Sequence, residues 1–200
     1  PKISPVVSYG IKILSIGFFT EQDSAVVWRG PMASKALTQM FTDAYWGKLD
    51  YLLIDLPPGT GDIHLSLVQT VPLDGAVIVS TPQEVALADA RKGINMFKLD
   101  TINVPVVGMI ENMAWFTPAE LPDNKYYIFG RDGAKNLAAG MGVPFLGHVP
   151  LVQSVREAGD VGRPAVFQEN TSVSNAFDEL VITFVEQVKL LKAKKKEHVN

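Results

Sequence analysis

The stretch Tyr51-Leu52-Leu53-Ile54-Asp55-Leu56-Pro57-Pro58-Gly59-Thr60-Gly61-Asp62 limits what this chain can become more than any other. Tyr51 to Ile54 form a short, charge-free apolar run, the pattern of a strand buried on both faces of a parallel sheet. Pro57 and Pro58 supply no backbone N–H for a ladder, so such a strand ends there. Asp55 is thereby expected at the carboxyl end of a buried strand, where open α/β sheets place their ligands. Beyond it, Gly59, Thr60 and Gly61 offer backbone N–H groups on a flexible turn, a concave anion site. A carboxylate for hydrated Mg²⁺ beside N–H donors for a terminal phosphate is what a nucleotide-hydrolysing switch loop needs. The plainer alternative is a strand end with a tight turn capped by Asp62.

Around this stretch, apolar runs and helical stripes alternate. Ile11 to Ile16 is expected as a strand ended by Gly17. After a polar loop from Thr20 to Ser24, Val26 to Pro31 leads into a helix with Pro31 near its first turn, where proline is tolerated. Met32, Ala36, Met40 and Ala44 recur at helical spacing, as do Leu37 and Phe41, giving a core-facing stripe. Asp62 is expected to cap a helix bearing Ile63, Leu67 and Val71 on one face. Ala76 to Val79 reads as a third strand ending at Ser80-Thr81-Pro82, followed by a helix through Ala86, Ala90, Ile94 and Phe97. A fourth strand, Val104 to Ile110, ends at Glu111-Asn112-Met113, and Ala114 to Ile128 reads as an irregular surface loop. Gly133 to Met141 reads as a helix, Phe145 to Val149 as a last strand before Pro150, and Val152 to Ala158 as a helix. A final helix runs from about Ser172 through Leu191, and residues 190–200 are expected to form a basic, disordered tail. The expectation is an α/β fold: one doubly wound domain over 1–200, its mostly parallel sheet flanked by helices on both faces.

Composition narrows the function. The chain is 47% hydrophobic, which suits a globular domain, and 18 basic against 21 acidic residues give no reason to expect nucleic acid. There is no cysteine, hence no disulfide, thiol nucleophile or thiolate ligand in these residues. No apolar run reaches membrane-spanning length and no signal pattern opens the chain, so the cytoplasm is the expected compartment.

Among the remaining candidates, Asn112 ends the fourth strand on the edge expected for Asp55. Its amide carries both donor and acceptor and can read a purine edge, or it can satisfy loop backbone. Pro150 and Leu151 end the fifth strand on that edge and can wall a base pocket or simply turn the chain. His64, His148 and His198 are scattered without ligand spacing, which argues against a histidine metal site. Arg29 is read as solvated, and Asp160 with Arg163 as turn chemistry. No Gly-x-x-x-x-Gly-Lys-[Ser/Thr] occurs in the sequence, so the loop that cradles α- and β-phosphates, and the strand before it, are expected upstream of Pro1.

Together the motifs resemble the Mrp/ApbC family of MinD-like P-loop ATPases, described as iron–sulfur cluster carriers. The resemblance rests on Ser15-Ile16-Gly17-Phe18-Phe19, Trp28-Arg29-Gly30-Pro31-Met32, the stretch from Asp50 to Asp62, and Ser80-Thr81-Pro82-Gln83. Glu111-Asn112-Met113, Ile128-Phe129-Gly130 and Leu146-Gly147-His148-Val149-Pro150-Leu151 extend it from about Tyr9 to Val188. It implies that Asp55 holds the water shell of Mg²⁺ and that Pro57 to Asp62 form switch II, with the Gly59 N–H facing the γ-phosphate of ATP. Pro58, Thr60, Gly61 and Asp62 would join the nucleotide site, with Asn112 reading adenine beside Pro150 and Leu151. It further implies a homodimer, slow ATP hydrolysis, poor ATP binding by this chain alone, and iron–sulfur recipient or scaffold proteins as partners.

One departure bears on the cargo. The family's Cys-x-x-Cys, which bridges a [4Fe–4S] cluster across the dimer, falls here on Pro118 and Leu121, and neither ligates iron. Two alternatives therefore stand beside the carrier reading. One is a nucleotide-switched dimeric module without a cluster of its own. The other is a MinD-like positioning ATPase, for which an amphipathic C-terminal helix is missing and no stable membrane association is expected.

Overall fold

Val77, Ile78 and Val79 are β-branched and flanked by Gly75 and Pro82, a composition that favours a pleated strand over a helix. In the computed structural model of the protein, which describes residues 2–19, 30–57, 59–118 and 120–197, this segment lies in a three-stranded parallel sheet. Its strands are β3 (Ala76–Ser80), β4 (Val106–Phe116) and β5 (Phe145–Leu151), in that spatial order. Two further strands, β1 (Val6–Ser8) and β2 (Ile11–Ile13), precede them in the chain and form a separate antiparallel pair. The chain divides into two compact units, Pro1–Pro72 and Leu73–Asn200.

In the second unit, parallel strands require crossovers, and helices provide them. Helix α3 (Glu84–Lys98) joins β3 to β4, and α4 (Gly133–Met141) leads into β5. Next come α5 (Gln153–Asp160) and the long α6 (Ser172–Glu197). Helices α3, α4 and α6 all pack against the sheet. Ile94 and Met109 are fully shielded from water, and Leu146, Val173 and Leu180 are buried with them. Burial of each such side chain contributes about 1.5–3 kcal/mol. Helix α6 extends to Glu197, past the point where a disordered tail was expected. Lys192 in that stretch pairs with Asp74 at 3.1 Å.

The first unit departs further from expectation. Ile11–Ile13 does form a strand, but β2 pairs antiparallel with β1. The reason is the two-residue turn between them: Tyr9 and Gly10 both have positive φ (49° and 78°), the geometry that matches the twist of a tight hairpin. Helices α1 (Gly30–Thr42) and α2 (Asp62–Thr70) pack together, joined by a 2.9 Å hydrogen bond between Ser66 and Ser34. Leu37 and Leu67 are buried at the expected helical positions, whereas Met32 is exposed. Among the described residues no helix is long and apolar enough to cross a membrane.

Candidate functional site

The parallel register brings the carboxyl ends of β3, β4 and β5 to one edge. Ser80 stands opposite Glu111, Glu111 opposite His148, Asn112 opposite Val149, and Phe116 opposite Leu151. Between Asn112 and Phe116 the ladder is broken by a register shift, and Met113 adopts φ 55°. Irregularities of this kind re-aim side chains at strand ends. Asn112 lies just before the break, half-buried, and its Oδ1 accepts the N–H of Met113 at 2.9 Å. Among the described residues no hydrogen bond engages its Nδ2, which is therefore an available donor. Pro150 is buried and Leu151 half-buried at the end of the adjoining strand. Of the sequence candidates, Asn112, Pro150 and Leu151 are thus brought together.

Asp55 and its turn lie in the first unit, and here one expectation is corrected. Residues 51–57 form no strand, and Leu53 is 81% exposed. A strand needs a hydrogen-bonded neighbour, and among the described residues none runs beside Tyr51 to Leu56. Asp55 is exposed on this extended segment. Gly59 adopts φ 99°, a conformation that a side chain would strain, and Thr60 and Gly61 beside it are exposed. Gly61, not Asp62, is the N-cap of α2, and Asp62 occupies the first helical position. Pro58, Trp28, Arg29 and His198 lie outside the described residues.

Asp160 bonds Arg156 at 2.6 Å one helical turn away, while the N–H of Arg163 closes the turn on the carbonyl of Ala158 at 2.7 Å. His64 is buried. Pro118 and Leu121 form a turn, the Leu121 N–H bonding the Pro118 carbonyl at 3.1 Å, with Leu121 exposed. With no cysteine in the sequence, a thiolate-held cluster has no ligand among these residues.

The structure also assembles a group that sequence spacing concealed. Glu111 is almost completely buried, and its Oε2 accepts the backbone N–H of Ala134 in the first turn of α4 at 2.7 Å. His148 Nε2 lies 3.6 Å from Glu111 Oε1 and 3.2 Å from Asp132 Oδ1. Phe145 meets the imidazole edge-on at 4.8 Å, and Trp115 is tilted against it at 5.8 Å. Asp132 is the N-cap residue of α4, yet its side chain makes no capping bond and its backbone is left-handed at φ 56°. It forgoes a cap worth about 1 kcal/mol and adopts a conformation costing roughly 1–3 kcal/mol. The sequence gap from 111 to 132 to 148 carries no ligand pattern. Only the pairing of β4 with β5 makes Glu111 and His148 neighbours.

Comparison with known proteins agrees with this fold. Residues 1–185 match the family described as "ParA: NUBPL iron-transfer P-loop NTPase". The chain is 47% identical over 172 residues to the "Iron-sulfur cluster carrier protein" of Synechocystis, a match covering 86% of this chain and 48% of the relative. A nucleotide-binding protein from Archaeoglobus fulgidus, solved in complex with ADP, superposes with a TM-score of 0.66 at 36% identity, covering 81% of this chain and 62% of that one. The cell division ATPase MinD of Pyrococcus furiosus shares the fold, with a TM-score of 0.54 at 21% identity over 79% of this chain and 59% of its own. The chain thus spans about half the length of the curated relatives it matches. The match through residues 1–185 makes this chain a member of the ParA family, in the group of NUBPL iron-transfer P-loop NTPases.

Proposed function

We propose that this chain is the switch-and-base portion of a slow, Mg²⁺-dependent ATPase that acts in iron–sulfur cluster assembly or transfer as a homodimer. The observation that carries the reading is the open Nδ2 donor of Asn112 at the carboxyl edge of a parallel sheet, beside the strand that ends at Pro150 and Leu151. Ligands of open α/β folds bind at that edge. ADP bound to the Archaeoglobus relative, and the carrier and transfer names of other relatives, support the same assignment. In this reading Asp55 orients the water shell of Mg²⁺ and the Gly59 N–H meets the γ-phosphate. Pro57, Pro58, Thr60, Gly61 and Asp62 relay the presence of that phosphate. Catalysis is positioning and electrostatics, with Mg²⁺ neutralising the phosphate charge when bound.

The sequence holds no glycine-rich lysine loop, so the 200 residues alone are expected to bind ATP weakly. A protein in which a strand and Gly-x-x-x-x-Gly-Lys-[Ser/Thr] loop are joined ahead of Pro1 is expected to show Mg²⁺-dependent ATP hydrolysis, and Asp55→Asn in that protein to abolish it. Undiminished turnover by the Asp55→Asn variant would overturn the role given to Asp55. A second reading, a nucleotide-switched interaction module that handles no cluster itself, is favoured by Pro118 and Leu121 standing where the family carries cysteines. Under it, partner proteins are captured differently in ATP and in ADP, while the protein remains free of iron and sulfide.

A further inference from the structure

We propose that Glu111, Asp132 and His148 form a mononuclear binding site for a first-row divalent transition metal of the Zn²⁺ type. The site needs no thiolate and uses none of the residues given to the nucleotide above. One ligand atom from each of Glu111, Asp132 and His148 lies within 4.8 Å of the other two. The imidazole Nε2 is 3.6 Å from Glu111 Oε1 and 3.2 Å from Asp132 Oδ1. Ligand atoms around tetrahedral zinc stand roughly 3.3 Å apart, given bonds of about 2.0–2.1 Å. Two edges of the triangle already have this size, and the third closes with a small turn of the half-exposed Asp132.

The far side of each carboxylate is held as an outer shell would hold it. Glu111 Oε2 accepts the Ala134 N–H at 2.7 Å, and Asp132 Oδ2 faces Arg131 Nε at 3.5 Å. Both inner oxygens are left directed at His148 Nε2. Outer contacts of this type orient ligands and raise their affinity. Phe145 and Trp115 fix the plane of the ring from its sides.

Charge supplies the independent argument. Glu111 is 1% exposed, and among the described residues no hydrogen bond reaches its Oε1. A buried carboxylate is costly unless a compensating charge faces it. His148 Nε2 faces both carboxylates at once, 3.6 Å from Glu111 Oε1 and 3.2 Å from Asp132 Oδ1. A dication bound to neutral imidazole and both carboxylates balances the three groups, and leaves a coordination position for water or a ligand. Imidazole with carboxylate oxygens selects zinc-like and iron-like divalent ions over Mg²⁺ and Ca²⁺, which prefer oxygen alone.

Equilibrium dialysis of the chelator-stripped 200-residue chain against Zn²⁺, in excess Mg²⁺ and without nucleotide, tests the site. One tightly held Zn²⁺ per chain is expected. His148→Ala and Asp132→Asn should each weaken it at least about tenfold, and His198→Ala should leave it unchanged. Co²⁺ in place of Zn²⁺ should give visible d–d absorption that His148→Ala removes. Asp132 is half-exposed, so its variant keeps the fold, which circular dichroism verifies. Absence of stoichiometric Zn²⁺, or equal retention by wild type and a folded Asp132→Asn, overturns the proposal. The assay contains no ATP, so its outcome is independent of the ATPase reading.

Discussion

The side-chain oxygen of Asn112 accepts the backbone N–H of Met113 at 2.9 Å, and that bond divides the labour of one amide. The acceptor secures the break at the end of β4, and the donor is left for a ligand. Asn112→Asp preserves the acceptor and removes the donor, whereas Asn112→Ala removes both. If Nδ2 reads the base, both variants should weaken adenine-nucleotide binding by about tenfold, the scale of one net hydrogen bond of 1–1.5 kcal/mol. Isothermal titration with ADP measures this in the protein carrying the added phosphate loop. Wild-type affinity in the Asn112→Asp variant would assign the residue to the loop alone.

The start of α4 lies close against the end of β3. A Cβ on Gly133 would run into the carbonyl of Pro82 and stand 2.9 Å from Leu87 Cδ1. Backbone cannot yield as a flexible side chain does, so Gly133→Ala is expected to destabilise the protein by about 1–3 kcal/mol. Gly140, in the same helix, has open space where its Cβ would go. Gly140→Ala is expected to be neutral or to stabilise by up to about 1 kcal/mol. Thermal denaturation of the two variants side by side lowers Tm for Gly133→Ala and leaves it unchanged or raises it for Gly140→Ala if the packing is as described. A shared direction would contradict it.

The same contrast separates core from surface elsewhere. Ile94 is 0% exposed in the middle of α3, and Ile94→Ala should cost about 2–5 kcal/mol through lost burial and the cavity left behind. Arg156 and Asp160 approach to 2.6 Å but are 64% and 63% exposed, so water screens the pair. Asp160→Asn is expected to change stability by less than about 0.5 kcal/mol. Urea denaturation resolves both. A large loss on removing the surface pair would mean that it carries contacts beyond its geometry.

How far the sequence foretold this structure depends on whether local pattern or partner choice decides each element. Ala76–Ser80, Glu84–Lys98 and Gly133–Met141 were legible because a β-branched run or a helical stripe fixes them locally. The carboxyl edge bearing Asn112, Pro150 and Leu151 followed, since parallel strands end together. Tyr51 to Leu56 has the composition of a central strand, but composition does not supply a neighbour, and among the described residues the segment remains unpaired with Leu53 exposed. The hairpin of β1 with β2 escaped notice because Tyr9 is an uncommon residue at positive φ. His148 was set aside for want of spacing to another ligand. Its neighbours are set by strand register and by the turn before α4, neither of which leaves a local signature.

The most direct test of the cargo concerns the turn after β4. Leu121 N–H bonds Pro118 O at 3.1 Å, so the two positions that carry cysteines in the Mrp/ApbC pattern sit at the ends of one tight turn. Paired cysteines at that spacing can share a cluster across a dimer, and proline with leucine cannot. Anaerobic reconstitution with iron and sulfide is therefore expected to leave the wild-type protein colourless and iron-free after desalting. The double substitution Pro118→Cys, Leu121→Cys should acquire the broad visible absorbance of a cluster, with iron and sulfide in equal amounts. Its apparent mass should double if the cluster bridges two copies. Stoichiometric cluster on the wild-type chain would show that ligands other than thiolates hold it, because no cysteine exists here to do so.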